Sequence, residues 1–158
     1  MDLPTVYVRM RPVSSATREA GPRHCSVAGA LDVIGEKWSL LVIRELILGV
    51  NRFSEIAANT GAPRDILTTR LRRLEDLGVI ERRLYEERPP RYEYVLTKAG
   101  RDLRPIITAL KYWGDTHVMG EVLAPVLEHS CGHLFEPRLH CAHCGERATA
   151  DSLTQLEV

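Results

Sequence analysis

A mainly α-helical fold with one small β-hairpin is what this sequence predicts, and three observations predict it. Apolar residues recur at three- and four-residue steps from Ser26 to Leu77, cut into short helices by Gly35, Gly49, Gly61 and Gly78. Strict alternation then takes over at Tyr92, Tyr94 and Leu96, beside the pair Pro89-Pro90. Helical spacing returns after Thr97.

Each element has its own signal. Val27, Ala30, Leu31, Val33 and Ile34 fit a first short helix ending at Gly35. Trp38, Leu41, Val42, Glu45, Leu46 and Ile47 fit a second, closed by Gly49. Phe53, Ile56 and Ala57 mark a third, with Arg52 or Ser54 near its start and Asn59-Thr60-Gly61 at its end. Pro63 is expected in the first turn of the fourth, where a missing N–H does no harm. Leu67, Leu71 and Leu74 stack along that helix, with Leu77 at the edge of the face. Val79, Ile80, Leu84 and Tyr85 read as one strand and Tyr92, Tyr94 and Leu96 as another. Between them Glu86 to Arg91 is expected to be a turn, because two prolines suit no central strand. Thr97 caps an expected long last helix with Leu103, Ile106, Ile107, Leu110, Trp113 and His117 on one stripe.

Composition narrows the class. The 158 residues carry 21 basic and 21 acidic side chains, with 44% hydrophobic and 27% charged residues. Such a chain can bury a core, and it is neither disordered nor fibrous. No apolar run approaches the roughly 18 residues of a membrane span, and residues 1–23 lack the apolar stretch of a secretory signal. A cytoplasmic protein is expected, at the nucleoid when bound to DNA. The organisation expected is an arm over residues 1–23, a main domain over 24–118 and a Cys/His-rich tail over 119–158.

Zero net charge hides an asymmetry. Residues 1–120 hold 19 basic and 15 acidic side chains, and residues 121–158 hold two and six. Arg64, Arg70, Arg72, Arg73, Arg82, Arg83, Arg88 and Arg91 crowd into 28 residues without a lysine among them. The guanidinium fork suits phosphate and guanine edges, although the interleaved Asp65, Glu75, Asp76, Glu81, Glu86 and Glu87 also suit an ion-paired surface.

Short helices, a hairpin and a closing helix follow the order of a winged helix-turn-helix, in which two helices brace a third whose outer face is free for a major groove. With Leu67 toward the core, Asp65, Thr68, Thr69, Arg72 and Asp76 fall opposite, and Arg64 lies beside them in the first turn. Arg64, Thr68, Thr69 and Arg72 are therefore the candidate readers of bases. Arg88 and Arg91 flank a turn that could enter the minor groove. Lys37, Arg52 and Ser54 are candidate phosphate clamps.

These residues also carry a family resemblance. Cys25, Leu31-Asp32-Val33-Ile34-Gly35-Glu36-Lys37-Trp38, and Gly49 followed by Arg52-Phe53-Ser54-Glu55-Ile56 resemble the HxlR family of bacterial transcription regulators. So do Arg70-Leu71-Arg72-Arg73-Leu74-Glu75, Gly78, Pro90-Arg91-Tyr92-Glu93-Tyr94-Val95-Leu96-Thr97, Gly100 and Trp113. The resemblance covers about residues 24 to 118 and departs from the family pattern at Ser26, where a proline commonly follows the cysteine, and at Glu36, where a glycine is usual. It implies a MarR-like winged-helix homodimer on a double-stranded DNA operator, usually a repressor. The N-terminal segment and long last helix would dimerise, giving Leu103, Ile106, Ile107, Leu110, Trp113 and His117 that role. Some members sense electrophiles or hypochlorite through a cysteine at the position of Cys25, which makes it a redox candidate; a small buried apolar residue is the other reading of this cysteine.

Three of the four cysteines lie within 14 residues of the tail. Cys141-Ala-His-Cys144-Gly145 has the spacing of a zinc knuckle, and Cys131-Gly132 supplies a third thiolate. His129 is preferred as fourth ligand over His133, His140 or His143. One structural zinc per chain is thus expected, against a Cys141–Cys144 disulfide or a metal-free remnant. A zinc deaminase would need a His-x-Glu upstream of Pro-Cys-x-x-Cys, which is missing, and nothing surrounds Cys25 with the parts of a nucleophilic site. An enzyme is not expected; the alternative to a DNA-binding regulator is an adaptor that keeps the winged helix without specific DNA binding.

Overall fold

The computed structural model describes residues 25–154; the expected arm over residues 1–23 lies outside them. The chain divides after Arg104 into two compact units, earlier than the boundary at 118 read from the sequence.

The first unit contains α1 (Ser26–Ile34), α2 (Lys37–Ile47), α3 (Phe53–Thr60), α4 (Arg64–Asp76), β1 (Ile80–Glu87), β2 (Pro90–Leu96) and the single turn α5 (Lys98–Arg101). Its core takes part of the apolar set that the helical spacing selects and adds Ile43, while Val27 and Leu31 of α1 stay exposed. Ile34, Val42, Ile43, Leu46, Ile56, Leu67, Leu71 and Leu74 are buried, joined by Ala62, Val79 and Ile80. Burying side chains of this size stabilises by about 1.5–3 kcal/mol each, so the Leu67–Leu71–Leu74 stripe alone anchors α4 and fixes which face is left outside. Gly61 ends α3 at φ 68°, a left-handed conformation that other residues adopt reluctantly.

Polar groups tie the helices together. Glu45 is buried, and its carboxylate accepts from Arg44 Nη2 at 2.7 Å and from Asn59 Nδ2 at 2.8 Å, linking α2 to α3. Arg73 donates to the Asp32 carbonyl at 2.8 Å, linking α4 to α1. Pro63 is the residue just before α4, with ψ 141°, rather than a member of its first turn.

The hairpin is tighter than expected. Strands β1 and β2 are antiparallel from Ile80↔Leu96 to Glu87↔Pro90, with a bulge between Leu84 and Glu86, so only Arg88 and Pro89 turn the chain. Glu86, Glu87, Pro90 and Arg91 belong to strands and not to the turn. A proline is tolerated at the first position of a strand, where its missing N–H breaks no inner ladder. The base of the wing is stapled to the body: Tyr94 N donates to Asn51 O at 2.9 Å, and Arg52 bridges to Glu93.

The expected long helix after Thr97 is two helices. Thr97 caps α5 by accepting from Gly100 N at 3.3 Å, and donates to Gly78 O at 2.7 Å. The chain then turns at Asp102 and Leu103, and α6 (Arg104–Gly114) starts afresh. Pro105 explains the break: it offers no N–H to the preceding turn, yet is well placed in the first turn of a new helix. Leu103 therefore leaves the stripe and sits in the turn. Beyond α6 the coil widens to a π-type turn at Asp115–Met119, ended by Gly120 at φ 72°.

In the second unit the tail beyond Gly120 is two tight hairpin turns followed by a 3-10 turn at Ala150–Ser152. No side chain described between 105 and 154 is fully buried. Among the described residues, no helix is long and apolar enough to cross a membrane.

Candidate nucleic-acid interface

The outer face of α4 is the centre of the site. Burial of Leu67, Leu71 and Leu74 turns Arg64, Asp65, Thr69, Arg72 and Asp76 into solvent, with Thr68 half-buried beside them. Both threonines bond back into their own helix: Thr68 Oγ1 donates to Arg64 O at 2.7 Å and Thr69 Oγ1 to Asp65 O at 3.0 Å. That leaves each with an acceptor oxygen and a methyl group, suited to a base amine or a thymine methyl.

The structure sorts the eight clustered arginines. Arg70 pairs with Glu36 at 3.2 Å, Arg82 with Glu75 at 3.9 Å, and Arg83 with Glu81; Arg73 is held by the Asp32 carbonyl. Arg91, read from the sequence as a wing contact, pairs with Glu86 at 3.2 Å. Arg72 and Arg88 are exposed and make no hydrogen bond or ion pair among the described residues. Arg64 is exposed and braced only by stacking, its guanidinium carbon 5.0 Å from the centre of the Phe53 ring. Glu75, Glu81 and Glu86 thus hold the wing arginines Arg82, Arg83 and Arg91, while Arg64, Arg72 and Arg88 carry no ion pair among the described residues.

The remaining candidates lie on the surface. Lys37 Nζ stands 4.6 Å over the Trp38 ring at the start of α2, Arg52 lies 5.0 Å over Tyr85, and Ser54 is exposed in the first turn of α3. These aromatic braces, with Arg82 4.3 Å over Tyr92, were not read from the sequence. For Arg52–Tyr85 and Arg82–Tyr92 the signal is an Arg and an aromatic residue brought together by the fold, visible only once the register is known, whereas Lys37 and Trp38 are neighbours in sequence. Burial pushes the Tyr94 phenol above its ordinary value, while Arg82 and Arg72 nearby pull the other way.

Cys25 is exposed at the N-cap of α1, where the N–H groups of Ala28 and Val27 hold its thiol below the ordinary value. Arg23 and His24 lie outside the described residues. On α6, Ile106, Leu110 and Trp113 are 53%, 49% and 55% exposed, an apolar stripe on the surface of a single chain. Ile107 is half-buried, and the exposed His117 ring packs 5.4 Å from that of Trp113.

The tail cysteines Cys131, Cys141 and Cys144 are free thiols at the surface. The N–H groups of Cys144 and His143, with the neighbouring Cys144 thiol, hold the Cys141 thiol below its ordinary value. His129 stacks on Phe135, with Nδ1 accepting from Cys131 N at 3.3 Å. Among the described residues no three His, Cys, Asp or Glu side chains converge on one point. A cavity of about 310 Å³ lies in this unit, with the ion pair Lys111–Asp115 at 2.5 Å on one wall and Val122, Leu134 and Phe135 on another.

Comparison with known proteins agrees with this geometry. The model of the HxlR-like helix-turn-helix family matches residues 33–124. An uncharacterized HTH-type transcriptional regulator of Mycobacterium tuberculosis (strain CDC 1551 / Oshkosh), MT3179, is 46% identical over 131 residues, 82% of this chain and 83% of that protein. Among solved structures, PA1607, a candidate transcription factor, is 34% identical with a TM-score of 0.68, over 85% of this chain and 94% of its own. The oxidized form of the redox regulator HypR is 38% identical with a TM-score of 0.55, over 59% and 97%.

Proposed function

Because this chain belongs to the HxlR-like helix-turn-helix family, we propose that it is a homodimeric repressor that reads a palindromic DNA operator with α4. The observation that carries the reading is the unpaired outer face of that helix. Among the described residues Arg64 and Arg72 make no ion pair there, although Asp65 and Asp76 share the face, and they stand beside two threonines whose donors are already used. Arg72 has the fork to take the O6 and N7 atoms of a guanine. Arg88, at the tip of a two-residue turn, is the wing's contact with the minor groove or its phosphates. Lys37, Arg52 and Ser54 hold the backbone on either side. Arg91 contributes less, since its charge is shared with Glu86.

The dimer uses the apolar stripe Ile106, Leu110 and Trp113 on α6 with Ile107 and His117 at its margin. Exposed apolar groups in a row are stabilised by covering them, and a second copy supplies the same stripe. Two α4 helices related by a twofold axis then meet half-sites about 10 to 10.5 base pairs apart, or a multiple of that. Cys25 supplies a response to thiol oxidants, because it is exposed and held toward the thiolate by the open end of α1.

Selection of binding sites from a random DNA pool tests the reading. An enriched inverted repeat with that spacing is expected. A pool without enrichment, from protein that is folded and dimeric, would replace the regulator by a protein-interaction adaptor.

A further inference from the structure

The tail builds one backbone device twice. In the first copy His129 N donates to His133 O at 2.9 Å and Phe135 N to Leu127 O at 2.8 Å, around Gly132 at φ 83°. In the second, Cys141 N donates to Glu146 O at 2.8 Å and Ala148 N to Leu139 O at 2.8 Å, around Gly145 at φ 78°. In both, the inner bond runs from the first residue of the turn to the residue after the glycine. In both, the outer bond joins positions two residues further out on each side. The two differ by a single residue, His-Ser-Cys-Gly against Cys-Ala-His-Cys-Gly.

Aligning the two turns on these bonds puts His129 at the position of Cys141 and Cys131 at that of Cys144. His133 falls at the position of Glu146, while His140 precedes the second turn and His143 lies inside it. The backbone therefore separates His129 from three other histidines that spacing alone leaves nearly equivalent.

We propose that the tail takes up one zinc ion through His129 and Cys131 of the first knuckle and Cys141 and Cys144 of the second. The Cys141-Ala-His-Cys144 turn alone would also make a redox dithiol, but the His129-Ser-Cys131 turn has only one thiol and no part in that chemistry. A His and three Cys on paired glycine-closed turns are a tetrahedral zinc set. A physical need points the same way. No side chain described in the tail is fully buried, so these short hairpins have no core of their own to fix them. Among the described residues no three of these side chains converge on one point, so the ion would have to draw one knuckle onto the other, which would supply the missing core.

Metal analysis of the full chain, purified with reductant and dialysed against zinc, tests the site. About one zinc per chain is expected, and cobalt(II) in its place should give the visible bands of a tetrahedral site with thiolate charge transfer. C131S, C141S and C144S should each abolish the cobalt spectrum, H129A should weaken it and H129C should restore it. C25S, H133A, H140A and H143A should leave it intact. Hydrogen exchange should show protection of residues 127–148 gained with zinc, while that of residues 25–104 stays unchanged. Metal at background level in reduced, folded protein would overturn the proposal, as would full binding in C141S. Loss in H133A with retention in H129A would overturn the ligand set.

Discussion

Arg72 and Arg91 are both candidate DNA contacts in the sequence, and the structure predicts that they contribute unequally. Arg72 is exposed without an ion-pair partner among the described residues, whereas Arg91 is held by Glu86 at 3.2 Å. A bidentate contact to guanine is worth about 1–3 kcal/mol, so R72A should weaken operator binding roughly 5- to 150-fold. Arg91 must first give up a half-exposed pair worth about 0–1 kcal/mol. What it gains from a phosphate is of similar size, and R91A should change affinity by less than about threefold. R88A should act through charge alone, lowering the slope of log affinity against log salt by about 0.9 on every sequence tested. Fluorescence anisotropy with a labelled operator, at four salt concentrations, separates the three. An R72A protein within twofold of the parent, beside an R91A protein weakened tenfold, would refute the sorting of arginines.

Three further outcomes follow from the packing. A Cβ at Gly100 would run into the carbonyl oxygen of Val79 and the side chain of Leu96, so G100A should cost about 1–3 kcal/mol, read as a lower urea midpoint at unchanged slope. L110D places a charge in the exposed stripe of α6; the mass in solution should fall to that of one chain, with operator affinity falling alongside, and a dimer that survives would remove α6 from the interface. With the tail cysteines replaced by serine, the alkylation rate of Cys25 should reach half-maximum at a pH below that of free cysteine, because N–H groups of Ala28 and Val27 favour its thiolate. A midpoint at the ordinary value would remove the basis for oxidant sensing there.

Local physics made much of this architecture legible. The Leu67, Leu71 and Leu74 spacing located both the core face and, by subtraction, the outward face of α4, since one geometry dictates both. The break at Asp102–Leu103 was hidden because apolar spacing continues across it, and a proline in a first turn gives the same sequence signal as a helix that carries on. The shortness of the wing turn was hidden by Pro89-Pro90, which argues for a loop although Pro90 takes a strand position. Which arginines are free depended on strand register: Glu86 meets Arg91 because the two residues pair across the hairpin. In the tail, the spacing of Cys141 and Cys144 was readable, whereas the equivalence of His129 with Cys141 needed the backbone bonds of both turns.

The central claim, specific reading of DNA by α4, is tested most directly by the affinity of the purified chain for the DNA immediately upstream of its own gene. Scrambled DNA of the same composition is the reference, at physiological salt. A preference of at least ~10³-fold, abolished or sharply reduced by R72A, is the result expected of a regulator that acts on its own neighbourhood. Equal affinity for both fragments, unchanged by R72A, would contradict it.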